Sequence, residues 1–137
     1  MENPELLTSI LNFAIYFAIS MAFLVVFKVI YSFVTPHDEW KLIKEEQNVA
    51  AAIGFGGAIV GFAIAVAGAA SNAVSIVDFA TWGGIALVAQ TMAFVLVRFG
   101  FMPRIVERIE KNEISAGIML AATNISVGLL NAACMSY

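Results

Sequence analysis

NVAAAIGFGGAIVGFAIAVAGAA, residues 48–70, holds no charged side chain, and its one strongly polar group, Asn48, stands at its start. At 1.5 Å per residue, a helix of this length crosses a hydrocarbon core of about 30 Å. In oil every backbone N–H and C=O has to find its partner inside the segment, so the stretch is read as a membrane-spanning helix. Three more stretches of the same kind lie outward from it, at about 7–33, 75–99 and 113–135. The composition agrees: 61% of the 137 residues are hydrophobic and 12% charged, and the mean hydropathy is +0.92. Such a chain cannot coat its own surface in water, which excludes a soluble domain. The predicted fold class is an all-α membrane protein of four transmembrane helices, one domain over 1–137.

The connections have distinct characters. After the first span, Thr35-Pro36-His37-Asp38 reads as a helix restart, with Thr as N-cap, Pro at the first helical position and an acid soon after. A short amphipathic segment over 39–47 then leads into the second span. The turn at 71–74 is short and polar, which suits an antiparallel helix hairpin. Gly100 and Pro103 break the third span, and a basic amphipathic piece over 104–112 leads into the fourth. The acidic start, Met1-Glu2-Asn3-Pro4-Glu5, lacks a basic leader, so the first apolar segment is expected to stay in the mature protein.

All seven Lys and Arg residues fall in two regions: Lys28, Lys41 and Lys44 after the first span, then Arg98, Arg104, Arg108 and Lys111 after the third. Positively charged loops are retained inside, so both long loops are expected on the cytoplasmic face, with the termini and the 71–74 turn outside. Trp40, Trp82 and Tyr137 suit the interfacial belts.

The chain also reads as two copies of one unit, over about 7–70 and 75–135. Ser9-Ile10-Leu11-Asn12-Phe13-Ala14 matches Ser75-Ile76-Val77-Asp78-Phe79-Ala80, and Ile43-Lys44-Glu45 matches Ile109-Glu110-Lys111. A unit of two crossings returns to its starting side. The copies are therefore expected to be tandem parallel helix hairpins related by an axis along the membrane normal, not inverted.

Gly57, Gly61 and Ala65 give the second span a face with almost no side chains, continued by Ala69, and Gly117, Ala121 and Gly128 give the fourth span a similar stripe. Such faces admit a second helix closely, either from the same chain or from another copy. Asp78, Gln90, Thr91, Asn124 and Asn131 form the candidate polar intramembrane site. Thr123 and Ser126 also lie where lipid cannot bond them. Gln90 and Asn124 fall at similar depth, so a hydrogen bond between them is expected; these groups act either as polar glue between helices or as the lining of a polar path. Asp78, three residues after Ser75 at a helix start, has the spacing of a capping box, and ion handling is the alternative.

Chemistry is scarce elsewhere. His37 beside Asp38 and Glu39 reads as a solvated loop, not a metal site, and Cys134 as an inert thiol buried at a helix end, with an intermolecular disulfide as the alternative. No P-loop, dinucleotide turn, catalytic triad or paired carboxylates can be read, so no enzyme activity and no cofactor are expected. The basic loops are mixed with Glu45, Glu46, Glu107 and Glu110. They suit anionic lipid or a cytoplasmic protein partner and not nucleic acid.

Four segments carry a resemblance: the Pro36-His37-Asp38-Glu39 loop, the Glu46-Gln47-Asn48-Val49-Ala50-Ala51-Ala52 entry, Gly56-Gly57-Ala58-Ile59-Val60-Gly61-Phe62, and the closing Gly128-Leu129-Leu130-Asn131-Ala132-Ala133-Cys134-Met135. Together they resemble the YjfL family of bacterial inner-membrane proteins, a domain of unknown function. The resemblance implies no catalytic residues, and a genomic neighbourhood of envelope-stress proteins hints at membrane maintenance. The leading expectation is a self-associating membrane-integrity or scaffold component in a bacterial inner membrane. The rivals are an oligomeric channel or carrier for a small polar solute or ion and an accessory subunit of a membrane enzyme.

Overall fold

The computed structural model describes residues 4–35 and 39–135, with Glu39 and Phe101 described by their backbone alone. The order is α1 (Pro4–Val34), α2 (Glu39–Lys44), α3 (Val49–Asn72), α4 (Ile76–Leu96), a π-helical turn (Val97–Phe101), α5 (Ile105–Glu110) and α6 (Ile114–Cys134). α1, α3, α4 with its π turn, and α6 are each long and apolar enough to cross a membrane. The chain is thus an all-α membrane protein. Thr35, read above as the cap of the next helix, directly follows α1, and its hydroxyl donates to the Tyr31 carbonyl at 2.8 Å. The remainder of that restart, the His37 loop and the Tyr137 belt residue lie outside the described residues.

Pairings fix the helix directions. Tyr16 stacks on Phe79 with ring centroids 5.1 Å apart, and Tyr31 meets Phe94 edge-on at 6.0 Å, so α1 and α4 run the same way. Phe27 stacks on Phe62 and Tyr31 on Phe55, which makes α1 and α3 antiparallel. α3 and α6 run parallel, with Gly117 against Ala50, Gly57 against Ala121 and Gly68 against Ala132. Two hairpins of the same sense therefore lie side by side, and α2 and α5 sit at the same end of the bundle.

Burial is uneven. α3 contributes Phe62, Ala58, Ala65 and Ala69 to the core with no exposure, whereas α1 buries fully only Phe27 and Tyr31. Every residue from Pro4 to Ile15 is exposed. In a bilayer such apolar surface is not a defect, because lipid covers it as readily as protein does.

Both lead-ins to the second helix of a hairpin use one backbone device. Among the described residues, Gln47 (φ 51°) and Asn112 (φ 58°) are the non-glycine residues in the left-handed region. Asn112 stands at the C′ position of α5, and Gln47 stands three residues beyond the end of α2. In both, the next N–H turns back onto the short helix, Asn48 N–H to Leu42 O and Glu113 N–H to Arg108 O, both at 2.9 Å.

Candidate functional site

The small-residue faces of α3 and α6 meet each other. A Cβ on Gly61 would stand 2.2 Å from the Asn124 carbonyl oxygen, one on Gly128 would stand 2.1 Å from the Gly61 carbonyl oxygen, and one on Gly57 would stand 2.4 Å from Ala121 Cα. Gly117 would meet Ala50 backbone at 2.4 Å in the same way. Backbone lies on backbone along this seam, at distances that admit no side chain. Ala65 is fully buried on the same helix. Of the two readings of these stripes, the structure shows the one within a single chain.

Gln90 of α4 reaches this seam at mid-height. Its Nε2 donates to the Asn124 carbonyl at 2.7 Å, and Asn124 Nδ2 donates back along its own helix to Leu120 O at 3.0 Å. The expected Gln90–Asn124 bond thus exists, with the backbone carbonyl as acceptor. Both residues are fully buried. No protein donor reaches Gln90 Oε1 or Asn124 Oδ1. Two fully buried amide oxygens without a protein donor are each uncompensated by roughly 1–3 kcal/mol, which singles out this point among the polar positions. Asn131 lies apart from it and ties α6 to α4 through Nδ2 to Ala86 O at 3.1 Å. Thr91 and Thr123 turn their hydroxyls onto Leu87 O and Met119 O of their own helices.

Asp78 does not join these groups. The Ser75 hydroxyl accepts Asp78 N–H at 3.1 Å, the N-cap half of a capping box, while the Asp78 carboxylate accepts the N–H of Val74, one residue before the cap, at 2.9 Å. Cys134, expected to be buried, is exposed, because the last turn of α6 turns that face outward.

The opposite end of the bundle is the charged one. Lys28 Nζ lies 4.7 Å and Lys44 Nζ 5.6 Å from the Trp40 ring centre, a double cation–π contact beside α2. Asn48 caps α3 by accepting Ala51 N–H at 2.8 Å, and its Nδ2 donates to Ile109 O at 2.7 Å. Asn112 Oδ1 in turn accepts Ala50 N–H at 3.0 Å, so each lead-in is bonded to the other hairpin. Sequence reasoning missed these two asparagines as cross-links; their positions just before the two spans were the available signal. At α5 the Arg108 guanidinium grips Glu113 with both arms, Nε to Oε2 at 2.8 Å. That hydrogen-bonded fork raises the Arg108 pKa and holds the Glu113 carboxyl below its usual range. Among the described residues no three His, Cys, Asp or Glu side chains converge on a point that could hold a metal.

Comparison with known proteins agrees with this architecture. The chain is 44% identical over 133 residues to the protein named UPF0719 inner membrane protein YjfL of Escherichia coli K12, covering 97% of this chain and 99% of that one. The same figures hold for its counterpart in Escherichia coli O157:H7. No solved structure matches. The family model described as Domain of Unknown Function (DUF350) matches residues 5–135, and the chain therefore belongs to that family of membrane proteins.

Proposed function

We propose that the chain is a non-enzymatic membrane-integrity or scaffold component of a bacterial inner membrane, of the kind that serves in envelope stress, and that it self-associates there. Both charged lead-ins face the cytoplasm and the termini face outward, on the strength of the one-sided Lys and Arg distribution. The two hairpins are read as tandem copies, a reading supported by the matching left-handed residues Gln47 and Asn112. The charged end offers a surface to anionic lipid or to a cytoplasmic protein.

One observation carries the scaffold reading. The small-residue faces are used up against each other inside the chain, while the first part of α1, from Pro4 to Ile15, is exposed throughout, with Phe13 and Phe17 stacked at 5.6 Å on its outer side. Self-association on this reading runs through α1 and not through the glycine faces. Cysteine cross-linking in native membranes tests it, in a Cys134→Ser background. Phe17→Cys is expected to give a disulfide-linked dimer and Val60→Cys, on the lipid face of α3, to stay monomeric. A chain that is monomeric with Cys at Ile10, Phe13 and Phe17 alike would remove the proposal.

The second reading, a channel or carrier for a small polar solute or ion, is favoured by the donor-less oxygens of Gln90 and Asn124. Liposome flux that is lost on Asn124→Leu and kept on Ile59→Leu would favour it; silence across a panel of ions and polyamines would end it.

A further inference from the structure

We propose that the pocket at α5 binds the phosphodiester headgroup of an anionic phospholipid through Arg104 and Lys111. The pocket has a volume of about 480 Å³, with Met102 and Pro103 as an apolar wall and Arg104, Arg108, Lys111 and Glu113 among its polar lining. Glu107 lines it as well, so three cations face two carboxylates. Arg108 is engaged by Glu113. Arg104 and Lys111 are exposed, and among the described residues neither forms an ion pair. With the Arg108–Glu113 pair set aside, one net positive charge remains, shared by Arg104 and Lys111 against Glu107, and Lys111 also acts through its charge on Glu113; the guanidinium's planar fork suits two phosphate oxygens and the ammonium supplies a point charge.

The frame is built before any ligand arrives. Ile105 and Ile109 anchor α5 from below with no exposure. Met102 N–H bonds to Val97 O at 2.7 Å across the π turn, and the Asn112–Ala50 bond holds the far rim against α3. The pocket's lining runs from Met102 to Glu113, between the end of the third span and the start of the fourth, which is where a headgroup layer would meet the chain. That placement selects a lipid phosphate over a soluble one.

The corresponding hollow at α2 provides the contrast. It is smaller, about 260 Å³, and is lined by Trp40, Lys41, Lys44 and Glu45. Its Lys44, together with Lys28, lies over the Trp40 ring. Cations held on an aromatic face are less available to phosphate. The headgroup is therefore assigned to the second hairpin alone.

The inference deepens the scaffold reading, taking from it only that the charged end meets lipid. Loss of cross-linking through α1 would leave headgroup binding untouched, so the two fail separately. Native mass spectrometry of the full chain in neutral detergent, titrated with phosphatidylglycerol, is the test. Arg104→Gln with Lys111→Gln is expected to weaken binding at least tenfold, at about fivefold for each surface cation. Lys41→Gln with Lys44→Gln removes the same charge and is expected to change binding by less than about twofold. Equal losses in the two double variants, or no loss in the first, would overturn the proposal. Displacement of phosphatidylglycerol by low-millimolar inorganic phosphate would assign the pocket to a soluble anion and overturn it too.

Discussion

α3 with α6 and α1 with α4 are both parallel helix pairs in one bundle, yet they are held in opposite ways. The first pair packs backbone on backbone, with glycines that leave no room for a methyl group. The second pair is joined by aromatic rings, Tyr16 on Phe79 and Tyr31 on Phe94. In lipid, burial of apolar area drives neither contact, so closeness of approach decides what is rigid. The glycine seam has that closeness. The ring contacts fill a wider gap with side chains, and α1 is the least buried of the four spans.

Substitutions that add one methyl group separate the two. The largest effect is expected at Gly61 and Gly128, where the new Cβ meets a carbonyl oxygen that cannot move without its helix. Gly61→Ala is expected to cost about 3 kcal/mol or more, at the upper end of overpacking penalties, read as a fall in the unfolding midpoint in mixed micelles. At Gly83 the three atoms nearest a new Cβ all belong to the Phe23 ring, Cζ first. The ring can swing aside, so a cost of about 1 kcal/mol is expected. Gly84 has nothing within 4 Å. There, alanine is expected to be neutral or to stabilise by a few tenths up to about 1 kcal/mol through helix propensity. Equal costs at Gly61 and Gly84 would mean that the seam is not the rigid element.

Much of this was legible in the sequence, for identifiable reasons. The four spans were placed to within a few residues because hydrocarbon thickness sets their length, and Ser75 with Asp78 announced a helix cap by spacing alone, though not that the carboxylate would bond Val74. The stripes through Gly57 and Gly117 were visible, but a bare face does not name its partner, and only the fold shows that the two face each other. Gln90 was expected to meet Asn124; that it bonds the backbone oxygen follows from the close approach at Gly61, which no spacing reveals. Gln47 carried no signal, since nothing about glutamine suggests a left-handed backbone.

Smaller effects sharpen the comparison at the charged end. Gln47→Gly is expected to stabilise by about 1 kcal/mol by relieving the left-handed strain. Asn112→Gly gains the same relief but loses the acceptor for Ala50 N–H, so its net effect should be zero or unfavourable. Thermal midpoints of the two variants check this pair. The Arg108–Glu113 fork supplies a pH signature. Because the folded-state pKa of Glu113 lies below 4.5, its stabilising contribution is present above the ordinary carboxylate value and is lost as the pH falls through the lowered one. Raised Arg108 leaves the fork intact up to strongly alkaline pH. The acid-limb midpoint should move upward in Glu113→Gln relative to neutral-pH stability only if some other carboxylate controls it. With the fork in control, the variant's stability should be flat where the wild type falls.

The parallel course of α3 and α6 is the feature on which the seam, the paired lead-ins and the common charged end all depend. Spin labels at Val49 and Ile114, exposed residues at the starts of the two helices, measure it directly by pulsed electron resonance in a Cys134→Ser background. Packed parallel helices place the labels within roughly 20 Å, given axes about 8–10 Å apart. A separation near 35 Å, about the length of a 24-residue helix, would put the two starts on opposite faces of the membrane and contradict the fold described here.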